Sequence, residues 1–512
     1  MVWMSCVTQK IRHWCFLSMG SSHLAVNACL APICSIHLAA VTTVEGIGTT
    51  AGDQLHAAQE RIARAHGSQC GFCTPGFVMS VYALLRNTYG RDDGGGGGGG
   101  GDAAPPTMAQ LLESLQGNLC RCTGYRPILD GYKTFTKEYL DSTNGAIFAG
   151  AGCCGKMVNG TCCQQQQQQQ QLQPPQLLIN GVAESSFKPY DPSQDPIFPP
   201  ELQLLLMDHQ HNNNSGDRVC PVLASWTGRK VTWYRPSTVQ QLLQLKSHYK
   251  DGCKIVAGNT EIGLETRQKG LHYPVLIDIQ EAIAQDSELK VTQLLVKKNN
   301  GSMWIGGAMT LSAFQSALNE LVATTVNNDQ DKDQQLSGLG RNICSEFLSM
   351  LHWFAGKQIR NVATVAGNLV TSSPISDLNP LFLAAGAEVH VVGLNNKTGD
   401  LTRVTVPMNA DFFTGYRRNA LGKDAFVAGI TLPIATPADD GHVFFKGYKV
   451  ARRREDDISI VNAGFWLSLG QRHEPSADDN KTYVVTGCRL VFGGMAPTTV
   501  MAAKTQAALV GR

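Results

Sequence analysis

Four cysteines in two tight pairs are the residues of this sequence best suited to do chemistry. In "SQCGFCTPGF" Cys70 and Cys73 flank a Gly-Phe pair, and in "GNLCRCTGYRP" Cys120 and Cys122 are one residue apart. Thiolates so spaced hold a metal centre, and Zn²⁺ and an iron–sulfur cluster both accept four of them. Zinc pairs are normally separated by about two to four residues, so the Cys-x-Cys pair leans towards a [2Fe–2S] centre, with structural zinc kept open. Burial as ordinary core cysteines does not account for two pairs beside glycines.

Two turns of small residues suggest a second chemistry. "KIVAGNTEIGLE" leads from a strand into Ala257-Gly258-Asn259-Thr260, and "NVATVAGNLVTSSPISD" repeats the pattern around Gly367-Asn368 with a cluster of hydroxyls. Small side chains let backbone N–H groups approach a pyrophosphate. Either turn alone is ordinary; two together point to a phosphate-bearing ligand that composition does not name. Other candidates carry less. His352 beside Trp353 reads as a packed core histidine, Arg452-Arg453-Arg454 as either a solvated face or a nucleotide contact, and Cys153, Cys154, Cys162 and Cys163 as surface thiols.

The elements that must position these residues change along the chain. "AQERIARAHGS", "TPGFVMSVYALLRNTYG", "TMAQLLESLQGN" and "RPILDGYKTFTKEYL" have apolar residues at helical spacing, giving a four-helix domain around the cysteines. Thr74 before Pro75, and Thr107, read as N-caps. Gly94 to Gly101 interrupt that domain, and Gln164 to Gln171 and "MDHQHNNNSGDR" punctuate the chain beyond it. None of the three can bury a core, so each reads as loop or linker. From about residue 219 the texture is mixed: "RKVTWYRP", "KIVAG", "SMWIGGAM", "EVHVVGL" and "GYKVARR" as strands, "TVQQLLQLKSHY" as a helix. "GFWLSLG" and "CRLVFGGM" come next, and the chain reaches Arg512 inside an apparent helix, which leads us to expect that the molecule continues beyond it. There is no internal repeat and no GxxxxGK[ST] phosphate loop.

At 512 residues the chain exceeds one ordinary core. Hydrophobic residues at 43%, charged residues at 16% and a formal net charge of +2 are those of a soluble globular protein with no general attraction to nucleic acid or an anionic membrane. Sixteen cysteines are too sparse for a disulfide-stapled secreted domain. Lys10 and Arg12 interrupt any signal-peptide core, and Asn27, Pro32 and Ser35 argue against a membrane span in "HLAVNACLAPICSIHLAAV". A cytoplasmic location is expected.

"NACLAPICSIHLAAVTTVEGIG", "QERIARAHGSQCGFCTPGFVMSVYALLRN" and "GNLCRCTGYRPILDGY" closely resemble the helical iron–sulfur domain of the xanthine dehydrogenase/aldehyde oxidase family of molybdenum hydroxylases, the xanthine branch more closely. "DPIFPPEL", "WFAGKQIRNVATVAGNLVTSSPISDLNP", "FFTGYRR" and "RREDDIS" extend the resemblance over roughly residues 24 to 510. It implies that Cys70, Cys73, Cys120 and Cys122 ligate one [2Fe–2S] cluster. It also implies that Lys254, Ile255, Val256, Ala257, Gly258, Asn259, Thr260 and Glu261 surround the FAD pyrophosphate and that Phe354 lies against the flavin. Thr364, Val365, Ala366, Gly367 and Asn368 would form the second phosphate-facing loop, with Asp377 on the nucleotide and Lys449 reaching the cofactor. Asp456 and Asp457 would lie near where NAD docks. The family's second cluster has four cysteines, of which this chain keeps Cys29 alone; Cys6 and Cys15 lack the glycine-rich setting of the other three.

The fold class expected is therefore multidomain α+β. Residues 1–23 form an atypical N-terminus in place of most of a ferredoxin-like domain, and 24–146 an all-α four-helix [2Fe–2S] domain. Residues 147–218 are a linker, 219–436 an α+β FAD-binding domain of the PCMH type, and 437–512 a truncated flavoprotein C-terminal α+β domain. The family hydroxylates purines or aldehydes at a molybdopterin centre, as homodimers, and passes electrons through two clusters and FAD to NAD⁺ or oxygen. The molybdopterin part is expected only in the missing C-terminal half, so a purine substrate is expected only with that half. Three functions are compatible with the resemblance: the iron–sulfur and FAD part of an incomplete xanthine dehydrogenase (or aldehyde oxidase), a stand-alone flavoprotein oxidising NADH, or a non-catalytic metal-binding remnant. Flavin colour with NADH-dependent dye reduction separates the last two.

Overall fold

The computed structural model describes residues 5–11, 21–89, 104–142, 178–179, 182–183, 187–205, 223–284, 286, 288–297, 301–327, 336–395, 397–435, 442–453, 456–471 and 483–512. The glycine and glutamine runs, "MDHQHNNNSGDR", Cys15, Cys153, Cys154, Cys162, Cys163 and Arg454 lie outside them. The chain divides into two units, Met1–Cys29 with Ile36–Asn212, and Leu30–Ser35 with Asn213–Arg512.

In the first unit the expected helices form: α1 (Ala57–Arg64), α2 (Thr74–Thr88), α3 (Met108–Leu115) and α4 (Arg126–Tyr132). Phe77, Val81 and Leu85 recur every four residues on α2 and meet Ile62, Leu111, Leu115, Ile128 and Tyr132 in one core. Thr107 caps α3 as expected: its Oγ1 accepts Gln110 N at 3.2 Å and the Gln110 side chain accepts Thr107 N at 2.8 Å. On α2 the cap position falls one residue earlier, on Cys73, with Thr74 already helical.

Two features depart from the sequence reading. The first unit is not all-α: Ser5–Ile11 (β1) pairs antiparallel with both Ser21–Asn27 (β2) and Ala40–Thr42 (β3). The stretch read as linker also contains a packed strap, 187–205, where Asp195 is buried. Asp195 Oδ1 is 3.0 Å from His56 Nε2, and Oδ2 accepts Tyr190 Oη at 2.6 Å and Arg86 Nη1 at 3.3 Å.

Among the described residues the second unit contains three sheets. In the first, Ala224–Thr227 (β4) is antiparallel to Thr232–Arg235 (β5), which runs parallel to Val275–Asp278 (β7), itself parallel to Cys253–Val256 (β6). Val239–Tyr249 (α5) makes the crossover and buries Leu242 and Leu243 beneath the sheet. An antiparallel sheet of five strands comes next, ordered Leu294–Lys297 (β8), Ser302–Gly306 (β9), Ala425–Pro433 (β12), Glu388–Leu394 (β10) and Leu401–Pro407 (β11). The third has four antiparallel strands: His442–Ala451 (β13), Ser459–Gln471 (β14), Tyr483–Gly493 (β15) and Val500–Met501 (β16). The third sheet shares a core with the helices Gly338–His352 (α6) and Asn379–Ala385 (α7): Phe445 and Val491 join Phe347, Leu381 and Phe382. Beneath Gly464, a Cβ would stand 2.4 Å from Pro380 O, so only glycine lets α7 lie this close to β14. Among the described residues no helix is long and apolar enough to cross a membrane.

Candidate cluster and flavin sites

The four cysteines converge in the first unit. Cys70 and Cys73 lie on the loop into α2, and Cys120 and Cys122 on the loop between α3 and α4. Their sulfurs meet two by two, Cys70 with Cys122 and Cys73 with Cys120, each pair within hydrogen-bonding reach. Among the described residues no three such side chains close on the position of a single ion. A two-by-two arrangement of four thiols is the donor set that a two-iron cluster uses, so these residues fit the group that the resemblance implies.

The backbone around the sulfurs favours negative charge. Burial raises the Cys120 thiol, but the Thr123 hydroxyl, the N–H groups of Thr123 and Cys122, and the Cys73 thiol outweigh it and leave Cys120 below its ordinary value. Thr123 Oγ1 lies 3.0 Å from Cys120 Sγ, and Thr123 N donates to it at 3.4 Å. Cys70 is lowered chiefly by the N–H of Phe72. Cys73 is pushed up to about 11, by burial first and then by Cys120. The tight loop is held by Tyr125, whose hydroxyl accepts Cys120 N at 3.1 Å and whose own φ is +69°. The sequence reading missed Thr123 and Tyr125, although both stand inside the quoted "CRCTGYRP" motif. Cys29, in the turn after β2, is half-buried.

In the second unit the two small-residue loops lie side by side. β6 ends at buried Val256, and the turn after it passes through Gly258 and then Asn259, whose φ is +57°. A Cβ on Gly258 would stand 2.0 Å from Val362 O, so the two backbones touch where glycine removes the side chain. Thr364 caps the helix Val365–Thr371 (α8), its Oγ1 accepting Gly367 N at 3.1 Å. Ala366 N donates to Gly307 O at 2.8 Å, and Asn368 Oδ1 accepts Ser376 Oγ at 2.8 Å. Within the first loop Lys254 is exposed, with Nζ 5.2 Å from the Tyr273 ring, and Ile255 and Ala257 pack on the sheet core. Asn259 Nδ2 donates to Leu30 O at 2.9 Å. Thr260 is half-buried, and Glu261 pairs with Arg417 and Lys269. Desolvation raises the Glu261 carboxyl, but those two cations hold it below the usual range.

Asp377 and Lys449 come together as a buried ion pair. Lys449 Nζ donates to Asp377 Oδ2, to Trp353 O and to Asp457 O, each at 2.7 Å. Asp377 Oδ1 accepts Ser459 Oγ and Asn462 Nδ2. Ser459 and Asn462 were not legible as partners, because they lie on a strand some eighty residues on. Half-buried Phe354 precedes Ala355, whose φ is +48°, and fully buried Arg360 fixes this turn by donating to Phe354 O at 2.9 Å and Ala355 O at 2.7 Å. His352 is exposed, contrary to the core reading: it lies at the end of α6 with its ring edge-on to Trp353. Arg452 and Arg453 are exposed, and Asp456 is half-buried. Glycine at 258 lets the two loops touch, with polar groups around the contact, which is the setting that the resemblance assigns to the FAD pyrophosphate.

Comparison with known proteins agrees with this layout. Residues 43–133 match a [2Fe-2S] binding domain, 229–435 an FAD binding domain in molybdopterin dehydrogenase, and 446–512 a CO dehydrogenase flavoprotein C-terminal domain. The xanthine dehydrogenase of Drosophila pseudoobscura pseudoobscura is 44% identical over 489 residues, covering 95% of this chain and 31% of that protein. The xanthine dehydrogenase/oxidase of Gallus gallus is 39% identical over 510 residues, covering 96% and 32%. Among solved structures, the carbon monoxide dehydrogenase of Hydrogenophaga pseudoflava aligns over 56% of this chain and 82% of its own, at 18% identity and a TM-score of 0.41. The chain thus spans about a third of the length of the curated relatives it matches. With its iron–sulfur, FAD-binding and flavoprotein C-terminal segments in that order, the chain belongs to the molybdenum hydroxylase family.

Proposed function

We propose that this chain is the iron–sulfur and FAD part of a xanthine dehydrogenase, carrying electrons released by purine hydroxylation to NAD⁺. The observation that carries the reading is the two-by-two meeting of Cys70, Cys122, Cys73 and Cys120 in a segment matching a [2Fe-2S] binding domain. When bound, a [2Fe–2S] cluster passes single electrons and FAD links one- and two-electron transfer. The chain's own contribution is position and charge. Cys70, Cys73, Cys120 and Cys122 ligate the cluster, and the N–H groups of Phe72, Cys122 and Thr123 stabilise its negative sulfurs. Residues Lys254 to Glu261 and Thr364 to Asn368 would hold the pyrophosphate of FAD and Phe354 would lie against its flavin, while the Asp377–Lys449 pair would fix β13 near the nucleotide. Asp456 and Asp457 flank the approach of NAD⁺. Purine hydroxylation itself belongs to a molybdopterin domain outside these residues, in a cytoplasmic homodimer.

A competing reading is an NADH-oxidising flavoprotein. Purification of the chain followed by metal, sulfide and flavin analysis tests the common core of both. Iron with equimolar acid-labile sulfide plus FAD supports it, whereas zinc without sulfide overturns it. NADH-dependent dye reduction that proceeds without any purine response when a molybdopterin domain is supplied selects the flavoprotein.

A further inference from the structure

Arg360 is wholly buried, where a methionine would fill much the same volume without desolvating a charge. The guanidinium therefore needs a physical reason. It stands at the end of the single helical turn Lys357–Arg360 and reaches back along the chain. There Nη1 spends both its hydrogens, on Phe354 O at 2.9 Å and on Ala355 O at 2.7 Å. The carbonyl just before them, Trp353 O, accepts Lys449 Nζ at 2.7 Å. Two cations, one wholly buried and the other nearly so, thus hold three consecutive carbonyls. At the last of the three, Ala355 keeps a φ of +48°, which a residue with a Cβ holds only where its surroundings impose it. Two residues beyond Arg360 along the chain, Val362 O is the atom on which Gly258 closes, and Thr364 then opens the second small-residue loop. The side chain of Arg360 therefore ties the turn that carries Phe354 to the segment that meets the Gly258 loop.

We propose that Arg360 is a positioning residue for FAD, setting the span between the turn that presents Phe354 to the flavin and the loops that hold the pyrophosphate. The inference rests on the FAD reading proposed above. A long ligand is gripped at both ends together only when the two grips stand the right distance apart, and fixing that distance beforehand removes an ordering cost from binding. Arg360 acts through Phe354 and its turn, and reaches the cofactor only by way of them.

The test measures the affinity of the full chain, freed of flavin, for FAD and for ADP, which carries the pyrophosphate and adenosine without the flavin. Arg360→Met is expected to weaken FAD about tenfold and to leave ADP unchanged, because only the longer ligand needs both grips. A merely structural role would lower both together. Equal loss of the two ligands, or no loss of FAD, overturns the inference while leaving the FAD reading standing. Adding Arg360→Met to Phe354→Leu is expected to cost no further FAD affinity, and an undiminished second loss also overturns the inference. Should Arg360→Met not fold, Arg360→Gln, neutral and able to donate to one of the two carbonyls, takes its place with the same split expected. An unsubstituted chain that binds neither FAD nor ADP removes the FAD reading itself, and the assignment of Arg360 with it.

Discussion

At the scale of single residues, two buried charge arrangements make opposite demands on the solvent. Asp377 and Lys449 are almost fully buried and satisfy each other, with Ser459, Asn462 and two carbonyls completing both. Removing one partner leaves a bare charge in the interior, so Asp377→Ala is expected to cost about 3–5 kcal/mol, while Asp377→Leu with Lys449→Met recovers most of it. Thermal unfolding of the three variants checks this, and flavin content of the double variant shows whether the pair also serves the cofactor. His23 works the other way. Burial, and then Arg86, lower it from 6.5 to about 4, against a smaller upward pull from Asp195. Arg86 and Tyr82 face it from α2, and Asp195 from the strap. Between those values the unfolded chain takes up a proton that folded His23 refuses. This contribution to stability is therefore complete above pH 6.5 and lost as the pH falls towards 4. Denaturant titrations of the first unit across that window are expected to show the loss, and His23→Gln to flatten it.

At the scale of elements, what was legible depended on range. Helices of the first unit and strands such as Glu388–Leu394 arise from local periodicity and caps; that strand spans its quoted stretch, whereas α1 ends at Arg64 and α4 at Tyr132, short of the stretches read as helix. Cysteine spacing announced the four-thiol group because both pairs sit on short loops beside helix ends. The partners of Asp377 were not legible, since they lie some eighty residues on in the chain. Gly258 shows the difference well. Its turn was readable, but the reason for a glycine there is Val362 on another loop, 2.0 Å from where a Cβ would stand. Gly258→Ala must push the two loops apart, whereas Gly252→Ala, with nothing within 4 Å of its Cβ, need not. FAD content is expected to fall sharply in the first variant and to stay at the unsubstituted level in the second; equal retention in both would disprove the contact's role.

At the scale of the whole molecule, two units whose described core clusters share no residue make two separable stabilities. The first unit is tied by Asp195, a carboxylate in a stretch that its surroundings of low-complexity sequence mark as linker. Its side chain is fully buried beside Arg86 and His56, and although desolvation raises its carboxyl, the bonds from His56 and Tyr190 and the charge of Arg86 hold it below the usual carboxylate range. Asp195→Ala strips the carboxylate from a guanidinium that is 2% exposed, which is expected to cost the first unit about 3–5 kcal/mol. The second unit contains none of these residues. Denaturation monitored at two wavelengths, cluster absorbance for the first unit and flavin fluorescence for the second, should therefore show the cluster transition moving to lower denaturant and the flavin transition staying in place. If both move together, the units unfold as one and the strap stabilises the whole chain instead of its own core. If neither moves, the charge on Arg86 is compensated elsewhere and Asp195 is dispensable.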